Sequence, residues 1–185
     1  GFLRVLKDRD WGAGRVLKAH DAARRDAMQT PDADAPLVRL QVLPSWIDYN
    51  GHMTESRYLF AGSETSDTLL RLIGADMAYV AGGHSYYTAE THIRHLGEAK
   101  LGDHLTGSVQ VLGADDKRLH IFITIAKDGQ AVATLEQMLL HVDMAAGKTC
   151  PAAPAVLDRL FAIRDAHAGL PRPAGTGRHI GQGKS

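Results

Sequence analysis

Cysteine is almost missing from this 185-residue chain: Cys150 stands alone, which excludes an intrachain disulfide and a zinc site built from several thiolates. A reducing compartment fits. Neither sign of charge is in excess, because 21 basic and 21 acidic residues cancel. Nucleic-acid binders carry a basic footprint and membrane-surface proteins a polybasic stretch, so neither partner is expected. No apolar run approaches the ~20 residues that span a bilayer, and the first residues lack a signal-peptide pattern. The expected location is cytoplasmic. Aromatic residues are only 6% of the chain, so a local concentration of them carries information.

What is present is a well-mixed composition, 44% hydrophobic and 23% charged, of the kind that folds in water. Residues 1–30 read as charged helix, thin in core positions. Breakers from Thr30 to Pro36 then mark a boundary. From Leu37 the period becomes two, with Val38, Leu40 and Val42 on one face, which predicts a strand ended by Pro44. Residues 55 to 73 form the expected main helix, stopped at Gly74. Its middle, Ala61-Gly62-Ser63, is small enough for a sheet to approach closely. Four more strands are expected at 85–96, 104–112, 118–126 and 131–143, the last two joined by an Asp128-Gly129 hairpin turn. Consecutive strands with short turns predict an antiparallel sheet, and no internal repeat interrupts it. After Pro154 an amphipathic helix and then a Gly- and Pro-rich, flexible tail close the chain. The domain reading is a helical segment 1–30, a core domain 37–151 and a C-terminal helix with tail 152–185. One long helix against one sheet is α+β, with sheet edges left to be covered or paired.

The densest polar stretch, Trp46 to Thr54, lies between the first strand and the main helix. A helix start leaves backbone N–H groups free and favours negative charge, so it can polarise a carbonyl. Asp48 would then serve as nucleophile or as base for water, with N–H groups near Gly51 and His52 holding the oxyanion. The plainer alternative makes Asp48 and Asn50 an Asx-turn and Thr54 a helix cap. Ten histidines invite a metal reading, but His92 and His95 fall on opposite faces of a strand. No metal site is expected.

The run Asp48-Tyr49-Asn50-Gly51-His52-Met53, with Tyr58 ten positions after the aspartate, resembles the hotdog-fold acyl-CoA thioesterases of the 4-hydroxybenzoyl-CoA thioesterase type. Thr91 to Leu96 and the Leu101-Gly102-Asp103 turn resemble the second strand and Gly-Asp turn of that family. The resemblance spans roughly residues 38–145. It implies a hotdog fold, in which an antiparallel sheet wraps one long central helix. It also implies thioester hydrolysis by Asp48, with the Gly51 N–H on the thioester oxygen and His52 beside the aspartate. Sites in the family lie between two subunits, so a homodimer or higher homo-oligomer is implied. Coenzyme A belongs to the substrate, and no separate cofactor is implied. Two departures stand out: Thr54 and Glu55 replace the usual Asn, and Glu64, the nearest helix acid, is one residue from the commonest register.

Three stretches, Pro44 to Leu59, Glu90 to Leu96 and Glu136 to Asp143, more closely resemble the betainyl-CoA thioesterase family of carnitine breakdown. In some bacteria that domain is fused behind a carnitine dehydrogenase, and residues 1–28 resemble the tail end of one. A start at Gly1 without methionine then reads as a fragment of a longer polypeptide. A quaternary ammonium cannot hydrogen-bond and is held by aromatic faces at ~0.5–2 kcal/mol each. Trp46, Tyr49, Asn50, Tyr58, Tyr86 and Tyr87 are the candidate substrate contacts, with ordinary core packing as the alternative for each aromatic. Arg94, Lys117 and Arg118 are candidates for the CoA phosphates. Two other functions compete: an acyl-CoA sensor without turnover, and a hotdog enoyl-CoA hydratase. The hydratase pattern has four residues between its aspartate and histidine, whereas Asp48 and His52 have three.

Overall fold

A computed structural model describes residues 30–181. The helix expected over 1–30 falls almost wholly outside them. The first strand is β1, Val38–Gln41, whose buried and exposed residues alternate as its period requires. A single 3₁₀ turn, Pro44–Trp46, then leads to the main helix α1, Glu55–Leu72. A short helix α2, Met77–Ala81, capped by the Asp76 side chain, precedes the long strand β2, His84–His95. The strands β3, His104–Ala114, β4, Arg118–Lys127, and β5, Gln130–Asp143, follow, then a two-residue β6, Lys148–Thr149, and the helix α3, Pro154–His167. The 3₁₀ turn, α2 and β6 are too short to show a period in the sequence.

The sheet is antiparallel in the order β1-β3-β4-β5-β2, with β6 beside β5. The expected strands are present, but they do not pair simply in sequence order. The connection between β2 and β3, Leu96 to Asp103, is too long for a tight hairpin, and β2 lies at the far edge against β5. The turn between β4 and β5 is a tight one, as expected. Asp128 and Gly129 both have positive φ, 50° and 78°, the geometry that matches strand twist.

The central helix α1 crosses the inner face of this sheet, and the contact is as close as its small residues permit. A Cβ on Gly62 would stand 2.5 Å from Leu135 Cδ2, and one on Gly107 would strike the Thr65 hydroxyl. Ala61, Leu69, Leu135 and Ile123 are completely buried there. Each such Leu or Ile contributes ~1.5–3 kcal/mol by leaving water.

The two sheet edges are treated differently. Beyond β1 the free half of β3 is covered by α3: the Val111 N–H donates to His167 Nδ1 at 3.0 Å and Arg164 Nη1 donates to the Ala114 carbonyl at 3.2 Å. Nδ1 accepts, so the ring proton sits on Nε2 and is donated to the Pro31 carbonyl at 2.8 Å. Among the described residues the other edge, β2, pairs only with β5, and residues 87–90 are exposed along it.

The tail, expected to be flexible with nothing to bury, instead crosses the outer face of the sheet. Gly177 N–H donates to Glu136 Oε2 at 2.6 Å, Gln110 Nε2 donates to the Pro171 carbonyl, and Gly175 lies against Arg94. Phe122, between Gln110 and Glu136 on that face, is 3% exposed. Covering an outward phenylalanine and satisfying backbone groups on strand side chains gives a polar, glycine-rich segment a defined place.

Candidate active site

A tight turn carries Asp48 out of the sheet and into α1. Ile47 and Met53 form an isolated bridge, Asp48 N–H donates to the His52 carbonyl at 2.9 Å, and Gly51 takes a φ of 79° that favours glycine. The Asp48 carboxylate folds back on the turn, where Oδ1 accepts from the Asn50 N–H at 2.8 Å and the His52 N–H at 3.4 Å. The Asx-turn is therefore real. Both bonds fall on one oxygen, leaving Oδ2 for a further partner.

Gly51 N–H, expected to face a thioester oxygen, donates to the Asp48 carbonyl at 3.1 Å, because closing the tight turn consumes it. Thr54 occupies the cap position of α1 but makes no side-chain capping bond. The first N–H groups of a helix have no intrahelical partner, so those of Glu55 and Ser56 are the donors this junction offers.

Beside the turn lies the segment Gly97 to Ala99, which carries no motif in the sequence. Tyr58 Oη accepts from the Ala99 N–H at 3.0 Å and donates to the Gly97 carbonyl at 3.4 Å, while the Met53 N–H donates to the Ala99 carbonyl at 2.8 Å. Between the two clamped residues Glu98 reaches out to His52, with 3.1 Å between Oε2 and Nε2. No motif marks Glu98. Burial keeps the Tyr58 phenol above its ordinary pKa, so it remains a protonated hydroxyl.

The candidate aromatics do not converge within one protomer. Trp46 is buried edge-on to Phe60 at 5.4 Å with Arg57 over its ring, Tyr58 is buried against His95, and Tyr49 projects 97% exposed from the turn. Tyr86 and Tyr87 point to opposite faces of β2, since successive strand residues alternate. Tyr86 lies at the far end of that strand, edge-on to His141 at 5.0 Å, and among the described residues its buried Oη has no hydrogen-bond partner. Burial, with Tyr79 and Asp115 adding to it, pushes its phenol far above the usual range. Around it, Tyr79 donates to His141 Nε2 at 2.8 Å while accepting from the Ala153 N–H, so His141 carries its proton on Nδ1 toward the Cys150 carbonyl. Burial lowers the His141 pKa and favours this neutral ring.

On α1, Glu64 is half-buried, and burial with the neighbouring Asp67 raises its carboxyl above the usual range against the pull of Arg71. Arg118 pairs with Asp115 at 2.6 Å and Lys117 adjoins it, both at the Tyr86 end of the sheet. Arg94 is on the outer face under the tail, on the other side of the sheet from α1. Among the described residues no group of three His, Cys, Asp or Glu side chains is arranged to hold a metal. A cavity of about 310 Å³ between β3 and α3, lined by Val111, Gly113 and Arg164, is at the opposite end of β3 from Asp48. Asp48 and His52 lie at the turn, not there.

Comparison with known proteins agrees with this fold. The thioesterase-like superfamily model matches residues 42–160, which include the Asp48 turn, α1 and the whole sheet beyond it. A Rhizobium meliloti (strain 1021) L-carnitine dehydrogenase/betainyl-CoA thioesterase is 50% identical over 194 aligned positions, covering 98% of this chain. The chain spans only 39% of that relative's length. A Pseudomonas aeruginosa betainyl-CoA thioesterase is 44% identical over 143 positions, covering 76% of this chain and 90% of its own length. A crystallised Pseudomonas putida KT2440 protein superposes with a TM-score of 0.69 at 32% identity, over 81% of this chain and 97% of its own. A Staphylococcus aureus protein solved with CoA, 21% identical, shares the fold with a TM-score of 0.75, over 84% of this chain and all of its own. With a sheet curled around one central helix, an aspartate at the strand-to-helix turn and these matches across most of its length, the chain belongs to the thioesterase-like superfamily and has the hotdog fold.

Proposed function

We propose that this chain hydrolyses betainyl-CoA to betaine and CoA. The observation that carries the chemistry is the Asp48 carboxylate, one oxygen held by its own turn and the other open, beside an uncapped helix start. In this reading Oδ2 attacks the thioester carbon or takes a proton from the water that does. The N–H groups of Glu55 and Ser56 stabilise the oxyanion. The acyl group is suggested by the two betainyl-CoA thioesterases that share 44–50% of their aligned residues with this chain. Coenzyme A arrives with the substrate and no other cofactor is invoked. Attachment to a carnitine dehydrogenase, as in the name of the Rhizobium relative, and a cytoplasmic location belong to the same proposal.

The site is completed by a second copy of the chain. The bare β2 edge is a template for antiparallel pairing, whereas the β3 edge is covered. Two-fold pairing of β2 lays its His95 end, next to Asp48, along the partner's His84 end. There the partner's Lys117 and the partner's Arg118 supply cations for the CoA phosphates, while Tyr49, 97% exposed on the Asp48 turn, offers an aromatic face for the trimethylammonium group. Glu64 stays a candidate for the helix acid facing this site.

A neutral isostere tests the acyl assignment. Thiol release from betainyl-CoA is compared with that from 3,3-dimethylbutanoyl-CoA, where carbon replaces the nitrogen. One or two cation–π contacts predict a kcat/KM preference of about tenfold for the cation. Equal constants remove the betainyl reading. Binding of both esters with no thiol from either favours the sensor, for which the Asx-turn at Asp48 would be sufficient reason.

A further inference from the structure

We propose that Glu98 is a positioning residue that holds His52 as the acid protonating the departing CoA sulfur; this rests on the thioesterase reading above. The motif brings His52 beside Asp48, but nothing in it says what orients the ring. The structure supplies the orienting group. The 3.1 Å contact from Glu98 Oε2 to His52 Nε2 places a proton on Nε2 and fixes the orientation of the ring. Nδ1 is then the atom that gains or gives a proton.

Glu98 is 67% exposed and is nonetheless not free to wander, because the residues on either side of it are clamped. Tyr58 Oη bonds the backbone of both Gly97 and Ala99, and Ala99 is also tied to Met53, the residue after His52. The tyrosine ten positions after the aspartate thus holds the loop that presents Glu98, from a buried place in α1. A carboxylate held beside an imidazole, itself in the same turn as the Asp48 carboxylate, is the arrangement acid–base chemistry uses to keep a histidine aimed.

The step balances as follows. As the tetrahedral carbon collapses, the C–S bond breaks and its electron pair leaves on sulfur, which takes the Nδ1 proton. His52 becomes neutral, still bonded through Nε2–H to Glu98. The water that supplies the hydroxyl of the product acid also supplies the proton that restores His52, directly or through Asp48. Glu98 is the charged group in contact with the ring, and the Asp48 carboxylate meets the backbone N–H of His52. Tyr58, and the Asp103–Lys127 pair of the β3 and β4 ends, stand behind Glu98.

The experiment compares full-length wild type, Glu98→Gln and Glu98→Asp with betainyl-CoA from about pH 5.5 to about pH 9.5, alongside NMR titration of labelled His52. Glu98→Gln keeps a hydrogen bond and removes the charge. Its expected effects are about a tenfold loss in kcat with KM within about twofold, and a basic limb and His52 midpoint both moved to lower pH. Glu98→Asp recovers most of the loss. Unchanged profiles in Glu98→Gln overturn the proposal, as does a kcat loss with neither limb movement nor rescue by Asp. Wild-type protein without turnover overturns the hydrolase reading and the acid role together, and the NMR midpoint then decides the His52–Glu98 coupling by itself.

Discussion

Replacing Tyr58 with Phe separates a structural tyrosine from a substrate-touching one. The hydroxyl accepts from the Ala99 N–H at 3.0 Å and donates to the Gly97 carbonyl at 3.4 Å. Ala99 is completely buried and Tyr58 is 4% exposed, so water does not replace the lost oxygen. Stranding a buried N–H costs about 1–3 kcal/mol, and the 3.4 Å bond, near the limit of useful geometry, adds little. The predicted loss is about 2 kcal/mol, read as a lower urea midpoint with the same m-value. Because burial holds the phenol protonated across the working range, the loss does not depend on pH between neutrality and mild alkali. In thiol-release assays kcat falls as Gly97 to Ala99 loosens, while KM for betainyl-CoA stays within about twofold. An unchanged urea midpoint with a raised KM refutes this reasoning and puts the hydroxyl on the substrate instead.

Two further substitutions probe the seat of the central helix. Gly62→Ala gains up to ~1 kcal/mol of helix propensity but sets a methyl 2.5 Å from a fully buried Leu135, so overpacking of ~1–3 kcal/mol leaves a small net loss in denaturant stability. A clear gain contradicts the close packing. Gly107→Ala has no helical compensation and meets Thr65 and Val38 together, so its midpoint falls further than that of Gly62→Ala; the reverse order contradicts the described register.

The sequence made the elements legible where one period ran long enough to show. Leu119 to Ile125 alternates into β4, the small middle of α1 marks the sheet's closest approach, and Asp128-Gly129 makes its hairpin. Pairing order was not legible, because β2 and β5 meet across strands that periodicity treats alike. Aromatic neighbours in sequence were scattered for a related reason: Tyr86 and Tyr87 part across the pleat, and Trp46 turns into the core against Phe60. The Asp48 turn was readable because local backbone geometry makes it. Glu98 was not, since a Gly-Glu-Ala-Lys loop has no pattern until Tyr58 pins it beside His52. The outward run of the tail depends likewise on Glu136, Gln110 and Arg94, which one segment alone does not reveal.

Asp48→Asn is the most direct trial of the thioesterase account. Asparagine keeps an oxygen for the Asn50 and His52 N–H groups and removes only the charge, so the turn survives. The account predicts that betainyl-CoA still binds, by calorimetry, while thiol release falls at least about a thousandfold. Thiol release at the wild-type rate from a folded Asp48→Asn protein would contradict it.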